Sequence, residues 1–128
     1  MKAKLAAIAL ALAIAPATAA YAGYGSIALS PLTGAWGYTK NIGTQGQAQQ
    51  GALAYCRSHS RWPGDCRIVA NTRGEYCAAL VLRDTSRGVG WGVGTAPDLD
   101  DAEEAAWDAC SAHNGRACTR VAISYCGQ

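Results

Sequence analysis

The chain has 128 residues, half of them hydrophobic, with 15 glycines, six cysteines, four tryptophans and no phenylalanine. Its formal charge of +2 equals the contribution of Lys2 and Lys4. Without those two, Lys40 and eight arginines face nine acids, a balance that argues against nucleic acid or an anionic membrane as the main partner.

Residues 1–22 read as an export signal. Lys2 and Lys4 precede the unbroken apolar run Leu5 to Ala15, and Ala17-Thr18-Ala19 and Ala20-Tyr21-Ala22 both fit a small-residue cleavage site near 19–23. The run is about 11 residues, against the roughly 20 that a spanning helix needs, so no stable membrane insertion is expected. The remaining residues 23–128 are read as a single domain, and roughly 100 residues bury only a modest core that cross-links would help.

Gly25 to Ser30 reads as a short strand ended by the turn Pro31-Leu32-Thr33-Gly34. Ala35 to Lys40 resumes as a strand with Trp36 and Tyr38 on one face and Gly37 on the other. Thr44, with Gln47 three residues on, has the pattern of a helix start. The helix is expected to run to about Ser58, with Ala48, Ala52 and Cys56 on one face. Cys66 to Ala70 reads as the closing strand, and Asn71 to Glu75 as a tight turn.

The same plan then repeats. Cys77 to Leu82 reads as a strand, Asp84 to Gly88 as a turn and Val89 to Thr95 as a strand. Asp98 takes the N-cap role of Thr44, and a helix from Leu99 to about Ser111 places Ala102, Ala106 and Cys110 on the matching face. Cys118 to Tyr125 closes the chain. Trp36-Gly37 recurs as Trp91-Gly92, Ala48–Cys56 as Ala102–Cys110, and Cys66-Arg67-Ile68-Val69 as Cys118-Thr119-Arg120-Val121. An internal repeat sets architecture before propensity does. The expectation is an α+β fold of two pseudo-symmetric β-β-α-β repeats, 24–75 and 76–126, with three cysteines in each. They would form one sheet with two helices packed on it, disulfide-stapled. Small helix faces opposite Gly37, Gly90, Gly92 and Gly94 would let each helix approach the sheet closely, with Leu53 and Trp107 at the helix flanks.

An even cysteine count in an exported chain argues for bridges and for a secreted or periplasmic location. Respecting the repeat, the simplest pairing is Cys56–Cys66 and Cys110–Cys118, with Cys77–Cys126 joining the copies. Cys56-x-x-His59 and Cys110-x-x-His113 resemble metal-ligand spacing. An oxidising compartment and the helix-end positions favour bridges and capping histidines instead, so no metal or cofactor is expected. Because the histidines are duplicated while a catalytic site is asymmetric, and no nucleophile motif occurs, no enzymatic activity and no catalytic residue is expected. The acidic start Asp98, Asp100, Asp101, Glu103 and Glu104 suits the positive end of a helix dipole. Trp36, Tyr38 and Trp91 suit a core that lacks phenylalanine; a sugar-stacking platform is the alternative. Trp62 lies in a loop with Arg57, Arg61 and Arg67 nearby, a pattern that fits a contact hot spot.

Several stretches together carry a resemblance: Tyr24 to Ser30, Thr33 to Tyr38, Ala48 to Cys56, Cys66, Cys77 to Leu80, Gly90 to Gly92 and Ala102 to Cys110. Over nearly all of residues 24–126 the chain resembles the family called domain of unknown function 4189. The resemblance implies a small secreted, cysteine-bearing domain without an assigned catalytic activity, and some mycobacterial relatives are regarded as secreted effectors. It transfers no catalytic residue. The expected function is a monomeric, non-catalytic module that binds a protein partner as effector, inhibitor or envelope accessory. A carbohydrate- or peptidoglycan-binding module using surface Trp is the alternative, and a hydrolase comes third.

Overall fold

The computed structural model describes residues 23–127; the export signal read over residues 1–22 lies outside them. The order is β1 (Tyr24–Leu29), β2 (Trp36–Ile42), α1 (Gln45–His59), β3 (Arg67–Arg73), β4 (Cys77–Thr85), β5 (Gly88–Ala96), α2 (Leu99–Asn114) and β6 (Arg120–Cys126). A single 3-10 turn, Pro63–Asp65, leads into β3. The plan β-β-α-β therefore occurs twice. Thr44 Oγ1 caps α1 by accepting the Gln47 N–H at 3.1 Å, and Asp98 caps α2 from Asp101 at 3.3 Å, each satisfying an amide that has no partner inside the helix. Gly115 ends α2 at φ 61°, a left-handed conformation that costs glycine little.

The strands do not join into one sheet. They form two antiparallel three-stranded sheets, ordered β2-β1-β3 and β5-β4-β6. The cause is that both central strands are buried on both faces. Ile27 and Leu29 of β1 and Ala78, Leu80 and Leu82 of β4 gather in one interior with Ala70 and Tyr125. Ala28 turns instead to α1, and Ala79 and Val81 turn to α2. Stacking the sheets face to face buries the first set, and each fully buried Leu or Ile is worth about 1.5–3 kcal/mol; a single sheet with both helices on one face would leave them in water. The layers run helix, sheet, sheet, helix. Trp36, Tyr38, Trp91 and Val93 pack half-buried against the interior, and Tyr38 stacks on Tyr125 across it at 5.4 Å.

Ala48, Ala52 and Cys56 are fully buried under α1, as are Ala102, Ala106 and Cys110 under α2. A Cβ at Gly37 would collide with the Ala52 carbonyl, and one at Gly92 with the Cys110 backbone. Glycine there is a packing requirement. Leu53 and Trp107 pack at the flanks of their helices.

Strand pairing aligns the copies more finely than sequence matching does. Ile27 pairs with Ala70 and Ala28 with Ile68; Leu80 pairs with Ile123 and Val81 with Val121. The same register break recurs at the same place. Arg67 opposite Leu29 therefore corresponds to Arg120 opposite Leu82, and Thr119 is an extra residue, its N–H bonded to Leu82 O at 2.9 Å. The residue-by-residue match of Arg67 with Thr119 is corrected by one position. Two predicted turns also shorten because pairing continues into them. β3 extends to Arg73 opposite Tyr24, and β4 to Thr85 opposite Gly88.

The disulfides are Cys56–Cys66, Cys110–Cys118 and Cys77–Cys126. The first two tie each helix to the segment after it. Cys77–Cys126 does not join the copies, however: it links β4 to β6, opposite neighbours within the second sheet. The corresponding pair in the first sheet is Tyr24 opposite Arg73, where the Arg73 guanidinium lies 5.5 Å from the Tyr24 ring centroid. The division of cysteines is thus two in the first copy and four in the second. The copies are joined by the shared interior and by repeat-mates meeting across it, Thr72 Oγ1 and Tyr125 Oη, at 2.8 Å.

Candidate functional site

Helix α1 has a distinct polar structure at each end. At its C-terminal end the β1–β2 turn, the helix end and the loop before β3 converge on Ser30, which is fully buried. Ser30 Oγ donates to Asp65 Oδ2 at 3.0 Å, and the Leu32 N–H donates to the same oxygen at 2.8 Å. The Thr33 and Ser60 hydroxyls reach Ser30 Oγ at 2.9 and 3.3 Å. Ser60 Oγ also accepts the Trp62 N–H at 3.1 Å, and Asp65 N–H donates to Trp62 O at 2.9 Å. The loop is therefore held from both sides of Trp62 while its ring stays outside. Trp62 is 64% exposed, Leu32 58% and Tyr55 53%.

Arg57, Arg61 and Arg67 are exposed on the same end. Among the described residues the one ion pair is Arg120 with Asp84, so these three guanidiniums have no carboxylate partner there. His59 stacks on Tyr55 with centroids 4.5 Å apart, its Nδ1 2.8 Å from the Tyr55 carbonyl, an i to i−4 capping contact. The Ser58 hydroxyl donates to that carbonyl at 2.8 Å and lies 3.0 Å from His59 Nδ1. Trp36, Tyr55 and His59 line a cleft of about 270 Å³ with Gly34 and Ala35. In the second copy the matching histidine, His113, stacks over Trp91 at 6.2 Å instead. Each sulfur of the two Cys-x-x-His sets is engaged in a bridge. Among the described residues no group of three His, Cys, Asp or Glu is placed to hold a metal ion.

At the N-terminal end of α1 the side chains are carboxamides. Asn71 Oδ1 accepts from Ser26 Oγ at 2.8 Å, from Gln45 Nε2 at 3.0 Å and from Gln49 Nε2 at 3.2 Å. Gln45 Nε2 also reaches Ser26 Oγ at 3.0 Å and the Gly25 carbonyl at 3.3 Å. Beside this cluster a groove of about 440 Å³ is lined by Gln45, Asn71, Thr72, Arg73, Tyr76 and Thr95, four residues from the first copy and two from the second. Below it, burial pushes the Tyr125 phenol above its ordinary pKa, opposed by the hydrogen bond with Thr72.

Of the residues singled out from sequence, Trp62, Arg57, Arg61 and Arg67 all fall on the C-terminal end of α1. Trp36, Tyr38 and Trp91 are half-buried and pack against the interior. Sequence reasoning missed Leu32, Tyr55, the Ser30–Asp65 network and the carboxamide cluster. A signal was present, because each departs from its repeat-mate: Ser30 from Arg83, Asp65 from Ala117, Tyr55 from Ala109, Asn71 from Ser124.

The family model described as domain of unknown function (DUF4189) matches residues 24–126. No curated protein and no solved structure matches the chain.

Proposed function

The chain belongs to the DUF4189 family, a membership that carries no activity, and we propose that it is an exported, non-catalytic module that binds a protein partner through the C-terminal end of α1. Three disulfides suit an oxidising compartment, periplasmic or extracellular. No helix among the described residues is long and apolar enough to cross a membrane.

The observation that carries the reading is Trp62, exposed at the tip of a loop whose backbone is held by hydrogen bonds on both sides of it. A fixed aromatic loses little conformational freedom on binding, which is what a hot-spot residue needs. Leu32 and Tyr55 add apolar surface at the same end, and Arg57, Arg61 and Arg67 fit an acidic partner surface. The test is capture from envelope and culture-filtrate proteins, followed by calorimetry on the purified pair. Trp62→Ala should weaken the interaction by about 30-fold or more, a 2 kcal/mol loss, and Arg57→Glu with Arg61→Glu should slow association most at low salt. Unchanged affinity in Trp62→Ala would remove the proposal. The alternative of a glycan site on surface Trp narrows to this same ring, and a shift of Trp62 fluorescence with glycan fragments would favour it.

A further inference from the structure

We propose that the groove at the seam of the two copies is a saccharide-binding site, built from carboxamides and a tyrosine. It stands on different residues from the Trp62 surface, at the opposite end of a 15-residue helix, about 20 Å away at 1.5 Å per residue.

The second copy serves as an internal control for what the fold requires. At the places of Ser26, Asn71 and Gln45 it has Ala79, Ser124 and Leu99, by strand register and by position after the helix cap. Ala79 is as fully buried as Ser26. The same layer thus packs without a polar network, whereas the first copy buries the Ser26 hydroxyl and must satisfy it. The network is not an architectural necessity. Its effect is to fix three side-chain amides, and fixed polar groups are what a binding site gains from such support.

The atoms left over define the ligand chemistry. Asn71 Oδ1 and the Gln45 nitrogen are spent inside the cluster, and Gln49 Nε2 uses one of its two N–H groups there. That leaves Asn71 Nδ2 and the second Gln49 N–H as donors and Gln45 Oε1 and Gln49 Oε1 as acceptors, none with a further partner among the described residues. An anion wants donors only and a cation acceptors only; an alternating set matches hydroxyl groups, each of which gives and takes one bond. Tyr76, 48% exposed, supplies an aromatic wall for the apolar face of a sugar ring. Arg73 adds a fixed charge at the rim, held over Tyr24, which favours a saccharide that carries a carboxylate. A groove of about 440 Å³ lies within the usual range for small-ligand sites.

The test is to titrate the isotope-labelled protein with the disaccharide N-acetylglucosaminyl-N-acetylmuramic acid and follow side-chain amide resonances. Those of Gln45, Gln49 and Asn71 should shift together. The triple variant Ser26→Ala, Gln45→Leu, Asn71→Ser, which installs the second copy's residues, should keep a cooperative unfolding transition and bind about tenfold or more weakly. Tyr76→Ala should weaken binding to a similar degree, and Trp62→Ala should leave it unchanged. Three results would overturn the proposal: no shift at millimolar disaccharide, shifts with a short peptide in its place, or full affinity in both the triple variant and Tyr76→Ala. Equal affinity for the neutral N-acetylglucosamine dimer would overturn the carboxylate preference given to Arg73. A triple variant that fails to fold would overturn the premise that the fold does not need the network, and Tyr76→Ala would then decide the binding.

Discussion

The first copy holds its outer strand pair with an arginine over a tyrosine, while the second holds the same pair with a covalent bond. Tyr24 and Arg73 occupy the places of Cys77 and Cys126. The helix seats differ as well. In the second copy Gly94 lies under Ala105; in the first, Thr39 takes the strand position and Gly51 the helix position, and a Cβ on Gly51 would press on the Thr39 methyl. Bulk has moved from the helix side of the contact to the strand side. What survives in both copies is the shared requirement: a central strand buried on two faces, a small helix face, and a bridge from the helix to the next segment. What differs is free to serve something else. The first copy spends that freedom on the Ser30–Asp65 network and the carboxamide cluster, the second on cross-linking.

This comparison can be broken most directly by removing the bridges. Replacing Cys77 and Cys126 by alanine opens a crosslink spanning 49 positions, for which loop entropy predicts a loss of about 4 kcal/mol. Opening Cys110–Cys118, which spans 8 positions, should cost about 2.5 kcal/mol by the same relation. Denaturant unfolding of the two double variants checks the order, and equal losses would mean that chain entropy does not govern these bridges. If the strand pairs are equivalent, Tyr24→Cys with Arg73→Cys should form a fourth disulfide, visible as no free thiol, and raise stability by about 2 kcal/mol, less than ideal because engineered bridges rarely reach it. Free thiols in that variant would show that the first sheet is not built to the second sheet's geometry.

The helix seats give a smaller effect. Gly51→Ala should lose the roughly 1 kcal/mol that alanine gains in a helix, because the new methyl meets Thr39. Adding Thr39→Gly recreates the second copy's arrangement, and a coupling of about 1 kcal/mol between the two sites is expected from a double-mutant cycle. Additive effects would separate the two positions.

The smallest effect concerns pH. Tyr125 is held neutral by burial, so its folded pKa lies above the ordinary tyrosine value near 10. Its contribution is complete below about pH 10 and is lost as pH rises from there through the folded pKa. Tyr125→Phe should flatten the alkaline limb of stability while costing about 1 kcal/mol at neutral pH, because the buried Thr72 hydroxyl loses its partner. An unchanged alkaline limb would assign that sensitivity to other groups.

Much of the fold was readable in the chain. The caps at Thr44 and Asp98, the alanine and cysteine faces of both helices and the glycines opposite them are local patterns, and each sits where its periodicity put it. The site was readable only at Trp62 and its arginines. The carboxamide cluster was not, because Ser26, Gln45 and Asn71 are far apart in sequence and each alone is an ordinary polar residue. The expectation that Cys77–Cys126 joins the copies failed for a related reason: strand register, which the sequence does not show, sets the two opposite each other within the second sheet, in the places of Tyr24 and Arg73.

The sequence by itself determined the repeat, its helices and strands, and the close seat of each helix, since these rest on spacings of a few residues and on side-chain size. Only the tertiary structure decided that the strands divide into two facing sheets, that the third bridge stays inside one copy, and that Tyr76 and Asn71 line one groove. In β1 and β4 both faces are buried, and alternation by itself does not say which face meets a helix and which meets the other sheet. That choice is made by the area each arrangement removes from water, which exists only once both copies are in contact.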